Sequence, residues 1–158
     1  MGRQILKGLT MLMAIVALAF VSAVATANGQ TGNNVIAQVP FEFIVGDKTL
    51  ASGEYSVRAI NQAGDALMIR SADAKGQAIR LTNRTGVEMN KTYARLVFHR
   101  YGDRYFLSQV WSQGESTGHE LLKGRQERAM ERELARIASK SDPVQGGYEV
   151  VEIAALVR

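Results

Sequence analysis

Gly114-Glu115-Ser116-Thr117-Gly118 is the run whose residue types and spacing match a known catalytic device. G-x-S-x-G is the strand-to-helix elbow that exposes a nucleophilic serine, and an acid and then a histidine must follow it. After Ser116 the chain offers only His119, so the order Ser…Asp…His cannot be built. The run therefore reads as a loop leading into a helix cap. His99 and His119 are the only histidines, they lie on different elements without ligand spacing, and the chain has no cysteine. Neither a metal centre nor a cofactor is expected from such a set. His99 is expected to pack against Phe106, and His119 to occupy the first turn of a helix. Asp65, Asp73, Asp103 and Asp142 all fall in turns, where a short carboxylate bonds its own backbone. No residue set amounts to an active site, although an unrecognised hydrolase stays open as an alternative because convergent sites need no motif.

Two patterns have more substance for binding. Arg125, Arg128, Arg132 and Arg136 recur at helical spacing and form one stripe, with Met130, Leu134 and Ile137 roughly opposite. Such a stripe is more often a solvated helix face, but it would also suit an anionic envelope component or an acidic protein partner. Glu127, Glu131 and Glu133 are expected to neutralise part of it. The second pattern is aromatic: Phe98, Tyr105 and Trp111 crowd one hairpin and could line a pocket for an apolar ligand, as in a lipocalin-like carrier. Such side chains more often form the core of a small β-protein.

The elements that must position these residues are mostly strands. Val39–Val45 alternates as one strand up to the turn Gly46-Asp47-Lys48, and Tyr55–Ile60 alternates with Tyr55, Val57 and Ala59 on one face. Leu67 and Ile69 mark a third strand and Gln77–Thr82 a fourth. In the hairpin Tyr93–Ser112, Gly102-Asp103 reads as a two-residue type II′ loop. With Tyr101 opposite Arg104, Phe98 faces Leu107, Leu96 faces Gln109 and Ala94 faces Trp111. The reverse face, Arg95, Val97, His99, Phe106, Ser108 and Val110, is only partly apolar. Thr117-Gly118-His119-Glu120 reads as a capping box for a helix over about 119–140, ended by Pro143. A last strand, Tyr148–Val157, places Val151, Ile153, Ala155 and Val157 on one face. The expected fold is mainly β, an antiparallel sandwich or partly closed barrel of about six or seven strands, with one C-terminal amphipathic helix before the last strand.

The N-terminus leads us to expect a domain outside the cytoplasm. Arg3 and Lys7 precede an apolar stretch from Leu9 to Ala25, and Ala25-Thr26-Ala27 supplies a small-x-small cleavage site. Residues 1–27 are expected to be an export signal, slightly short for a membrane span. A flexible leader over 28–34 and a single β-rich domain over 35–158 follow. Of 19 basic residues, 17 remain after cleavage against 15 acidic ones, a net charge of +2. A nucleic-acid partner is therefore not expected. No transmembrane segment is expected after signal cleavage. The setting read from this is periplasmic or secreted.

Val39-Pro40-Phe41-Glu42-Phe43-Ile44-Val45-Gly46, continuing to Gly53-Glu54-Tyr55-Ser56-Val57, resembles the opening motif of a family of small exported bacterial β-rich proteins of unknown function. The run from Leu96 through Tyr101-Gly102-Asp103 to Val110-Trp111 resembles that family's central hairpin. Ala51-Ser52 stands where the family carries Pro-Ala. The resemblance implies an exported β-domain and no catalytic residue. The sequence is read as an exported, non-catalytic, envelope-associated binding or interaction module.

Overall fold

The computed structural model describes residues 34–61, 63–87, 93–138 and 147–158. The export signal, the leader up to residue 33 and the expected helix stop at Pro143 lie outside the described residues.

Alternation builds the first strands. In β1 (Val35–Val39), Val35, Ala37 and Val39 point into the core and Gln38 outward. The expected strand Val39–Val45 is in fact broken, because Pro40 has no N–H to give a ladder and fixes its own φ. The chain resumes as β2 (Phe43–Val45) and returns as β3 (Lys48–Leu50). The turn between them uses Gly46 at φ +67. β4 (Gly53–Ala59) pairs antiparallel with β1, and its Tyr55 and Val57 are buried as expected. β5 (Ala66–Ser71) buries Leu67 and Ile69. β6 (Gln77–Val87) is longer than expected because it serves two neighbours. Its first half, to Leu81, pairs with β5, and its second half, from Thr82, pairs with β9 (Thr117–Leu121).

The central hairpin, β7 (Arg95–Tyr101) and β8 (Arg104–Trp111), turns at Gly102, whose φ is +60 while Asp103 stays out of the left-handed region. The expected pairs hold from the tip to Phe98↔Leu107. There β8 gains one residue: Val97 pairs with Gln109, leaving Ser108 as a bulge. Beyond it the register differs from expectation. Val110, not Gln109, faces Leu96, and Trp111 pairs with Arg95 on the outer side. Of the reverse face expected to be only partly apolar, Arg95, Val97, His99, Phe106 and Ser108 are buried, and Gln109, which the bulge brings opposite Val97, is half-buried.

The segment expected to start the helix is strand instead. β9 fits between β8 and β6, so Thr117 pairs with Val87 and does not cap a helix. The helix α1 spans Arg125–Ala138, shorter at its start than the expected 119–140. The last run is split into β10 (Glu149–Ala154), paired with β7, and β11 (Leu156–Val157), paired with β1. The Ala155 N–H leaves the ladder for the Ala94 carbonyl at 2.8 Å.

The strand order is β10-β7-β8-β9-β6-β5-β4-β1-β11, with β2 joining β8 in parallel at Ile44↔Phe106 and β3 on β2. The sheet does not close on itself, yet its two ends are successive pieces of one C-terminal run. The class is the expected one, mainly β with a single helix before the final strands among the described residues. Among the described residues eleven strands replace the expected six or seven, because Pro40 and Ala155 interrupt two runs, Lys48–Leu50 forms β3, and the segment expected to start the helix is β9. Inside, Phe43 meets Tyr55 and Phe98 edge-on at centroid distances of 4.9 and 5.4 Å. Such crossings add to plain area burial.

Candidate functional site

Two faces of one helix, sorted by charge, make up the site. The start of α1 is fixed by a turn far away in sequence. Asp47, between β2 and β3, accepts the backbone N–H of Arg125 at 2.8 Å and of Gln126 at 3.4 Å. It does the work of an N-cap from outside the helix. The approach is so close that a Cβ on Gly124 would lie 2.0 Å from the Gly46 carbonyl oxygen, so this position needs glycine. Partial burial pushes the Asp47 carboxyl up. The two backbone N–H groups and the Arg125 guanidinium outweigh that and hold it below the ordinary aspartate range. A depressed folded pKa stabilises the fold above the ordinary value and loses that contribution as pH falls through it. Asp47→Asn is therefore expected to lower the melting temperature at pH 7, with the gap closing as pH falls below the ordinary aspartate range. Melts across that range check it; an equal gap at both ends would remove the carboxylate from the cap.

The inward face of α1 is formed by Glu127, Met130, Glu131 and Leu134, one stripe at spacings of three and four. Met130 and Leu134 pack on Ile44, Tyr101 and Phe106. Ile137, expected in the apolar stripe, is exposed instead. Glu127, only 4% exposed, meets His99, 7% exposed, with Oε1 3.0 Å from Nδ1. The Tyr148 ring lies over the imidazole at 4.0 Å and 28°, and Phe106 is its cross-strand partner, as expected. Glu131 accepts the Tyr101 hydroxyl at 3.2 Å and also pairs with the Lys123 ammonium. Burial, then the charges of Glu127 and Glu131, push the Tyr101 phenol well above its ordinary value. Burial works against the Lys123 ammonium, but its bond to Glu131 prevails and raises its pKa. A histidine on a carboxylate is half of a nucleophile-activating pair. Here, walled in by Tyr148, Phe106 and the helix, it clamps α1 to the sheet.

The clamp decides what the opposite face shows. Arg125, Arg128, Arg132 and Arg136 are all exposed, as the periodicity implies. Arg125 reaches Asp47 at 3.5 Å. Of the glutamates expected to neutralise part of the stripe, Glu127 and Glu131 are turned inward and Glu133 is exposed. Sequence reasoning found the arginines and missed the clamp. The Glu127/Glu131 spacing beside Met130 and Leu134 was the available signal, but His99 lies too far off in the chain to be tied to it.

The three aromatics do not share a pocket. Phe98 is fully enclosed in the core. Tyr105 stacks on Phe41 at 3.8 Å and 15°, and Phe41 meets Phe98 edge-on at 5.3 Å. Trp111 lies on the other side of the hairpin under the Arg95 guanidinium, 4.6 Å from its ring centre. Gly118 packs beneath it, where a Cβ would come within 2.6 Å of the indole. The G-x-S-x-G run connects strand to strand, not strand to helix. Ser116 and His119 line a shallow polar groove of about 400 Å³ with Asn61 and Arg84. A second cleft, about 490 Å³, lies between the β3–β4 and β5–β6 turns. Several of its polar groups are taken up internally: the Tyr55 hydroxyl donates to the Ala51 carbonyl at 2.7 Å and the Lys48 ammonium to that of Gln77 at 2.6 Å.

Among the described residues, no three histidine or acidic side chains gather as a metal site, and no helix is long and apolar enough to cross a membrane. Comparison with known protein families, curated proteins and solved structures found no match for this chain.

Proposed function

We propose that this chain is an exported, non-catalytic interaction module that binds an anionic envelope component through the outer face of α1. The observation that carries the reading is the charge sorting of the helix. Its glutamates at 127 and 131 are spent on His99, Tyr101 and Lys123, so the solvent side is cationic over successive turns. An amphipathic surface of one sign attracts the opposite sign, and fixing the helix rigidly spares the ordering cost of binding. The basic, apolar and small-x-small succession of residues 1–27 supports an envelope setting, as does the resemblance to small exported bacterial proteins.

Arg128→Glu with Arg132→Glu tests it. A basic side chain near an anionic surface contributes about 1 kcal/mol, so losing two and adding two carboxylates should weaken envelope binding at least about thirty-fold. Wild-type binding should also fall as added salt shortens the Debye length below about 8 Å. Pelleting of isolated envelopes with added protein reads both effects. Unchanged binding by a double variant that melts normally would reduce the stripe to a solvated helix face.

A further inference from the structure

Strand alternation leaves a second surface that owes nothing to the helix. Along β4, β5 and β6, residues opposite in register form cross-strand rows on the side away from the core. One row is Arg58–Met68–Ile79. In the next, Ala66 pairs with Leu81, and the Ile60 N–H donates to the Ala66 carbonyl at 2.9 Å. Towards the other side the row Leu156–Ile36–Ser56–Arg70 runs across β11, β1, β4 and β5. A sheet face turned to water ordinarily carries polar residues at such positions. Here Ile79 is 53% exposed, Leu81 61% and Leu156 70%.

The charges decide the occupant. Within these rows both charged residues are arginines, and the Arg58 guanidinium lies 3.8 Å from the Met68 sulfur. Glu54, opposite Gln38, and Asp65, bonded to Asn61, sit at the margins. A second copy docked by the same face would bring one cationic apolar sheet against another. A protein hot spot would favour aromatic anchors, and the rows contain none. Scattered aliphatics with interleaved arginines suit shallow insertion, apolar tips among acyl chains and guanidinium groups at the phosphates. We propose that the outer face of β1, β4, β5, β6 and β11 docks on an anionic lipid surface.

The absence of cysteine allows a local test on the full chain. Leu81→Cys and Leu156→Cys, each carrying an environment-sensitive fluorophore, are mixed with vesicles of phosphatidylcholine alone or with phosphatidylglycerol. Asp103→Cys at the hairpin tip is the control. The readout is confined to the labelled site, so lipid affinity of the apolar stretch 9–25 does not mimic it. Both face labels should shift to shorter wavelength only on phosphatidylglycerol vesicles, and the tip label should not. Arg58→Glu with Arg70→Glu should weaken the response at least about thirty-fold. Face labels that stay unmoved on anionic vesicles, that respond equally to neutral ones, or that become buried by self-association without lipid would each overturn the proposal.

Discussion

Glu127→Ala is expected to cost about 3–5 kcal/mol of unfolding free energy, because it strands one partner of a buried pair. The His99 ring is enclosed by Tyr148 and Phe106, so water cannot easily replace the lost carboxylate at 3.0 Å. The helix would then keep Met130, Leu134 and Glu131 as its remaining holds on the sheet. Glu127→Gln keeps the shape and one acceptor oxygen, and should cost distinctly less. Denaturant melts of Glu127→Ala, His99→Ala and the double variant decide the matter. Loss of the second partner should add little once the first is gone, giving a coupling of at least about 1 kcal/mol. Strictly additive single costs would mean that the two groups do not act as a pair. A detached α1 would also present its arginines without fixed orientation, so envelope binding should drop in Glu127→Ala even though no basic residue has changed.

Phe98→Ala should also cost about 3–5 kcal/mol, by opening a cavity at the centre of the main core. The ring is closed off by edge-on contacts with Phe41 at 5.3 Å and Phe43 at 5.4 Å, from a segment more than fifty residues away. Phe98→Leu, which refills most of the volume, should cost less than about 1.5 kcal/mol. The measurement is the denaturant midpoint at unchanged slope. A cost below about 1 kcal/mol for the alanine variant would indicate a loosely filled interior of the kind a carrier of apolar ligands requires, and would favour that reading over an interaction module.

Several elements were legible in the chain because their causes are local. Period-two alternation at Tyr55/Val57, Leu67/Ile69 and Leu96/Phe98 correctly marks buried strand faces. Gly102 supplies the positive φ its hairpin needs, and fixes the register as far as Phe98↔Leu107. Past that point the bulge at Ser108 turns Val110 inward and Trp111 outward, and no local residue preference announces it. The capping box at Thr117 failed for a related reason. Its residues suit a helix start, but β6 and β8 offered both edges of a strand, and Gly118 alone leaves room for the Trp111 ring.

The sequence by itself determined the strand-rich character, the hairpin tip, the presence of one C-terminal helix and the arginine periodicity on it, since backbone geometry alone sets the two- and 3.6-residue periods. Only the tertiary structure decided which side of that helix faces out. A helix with glutamates on one flank and arginines on another has no intrinsic inside. His99 and Tyr101, two residues apart on β7, and Lys123, in the loop before α1, offer hydrogen-bond donors that make burial of Glu127 and Glu131 tolerable. Asp47, nearly eighty residues from the helix start, sets where it begins. Contacts between residues so distant in the chain depend on the packed sheet, and no window of sequence contains both partners.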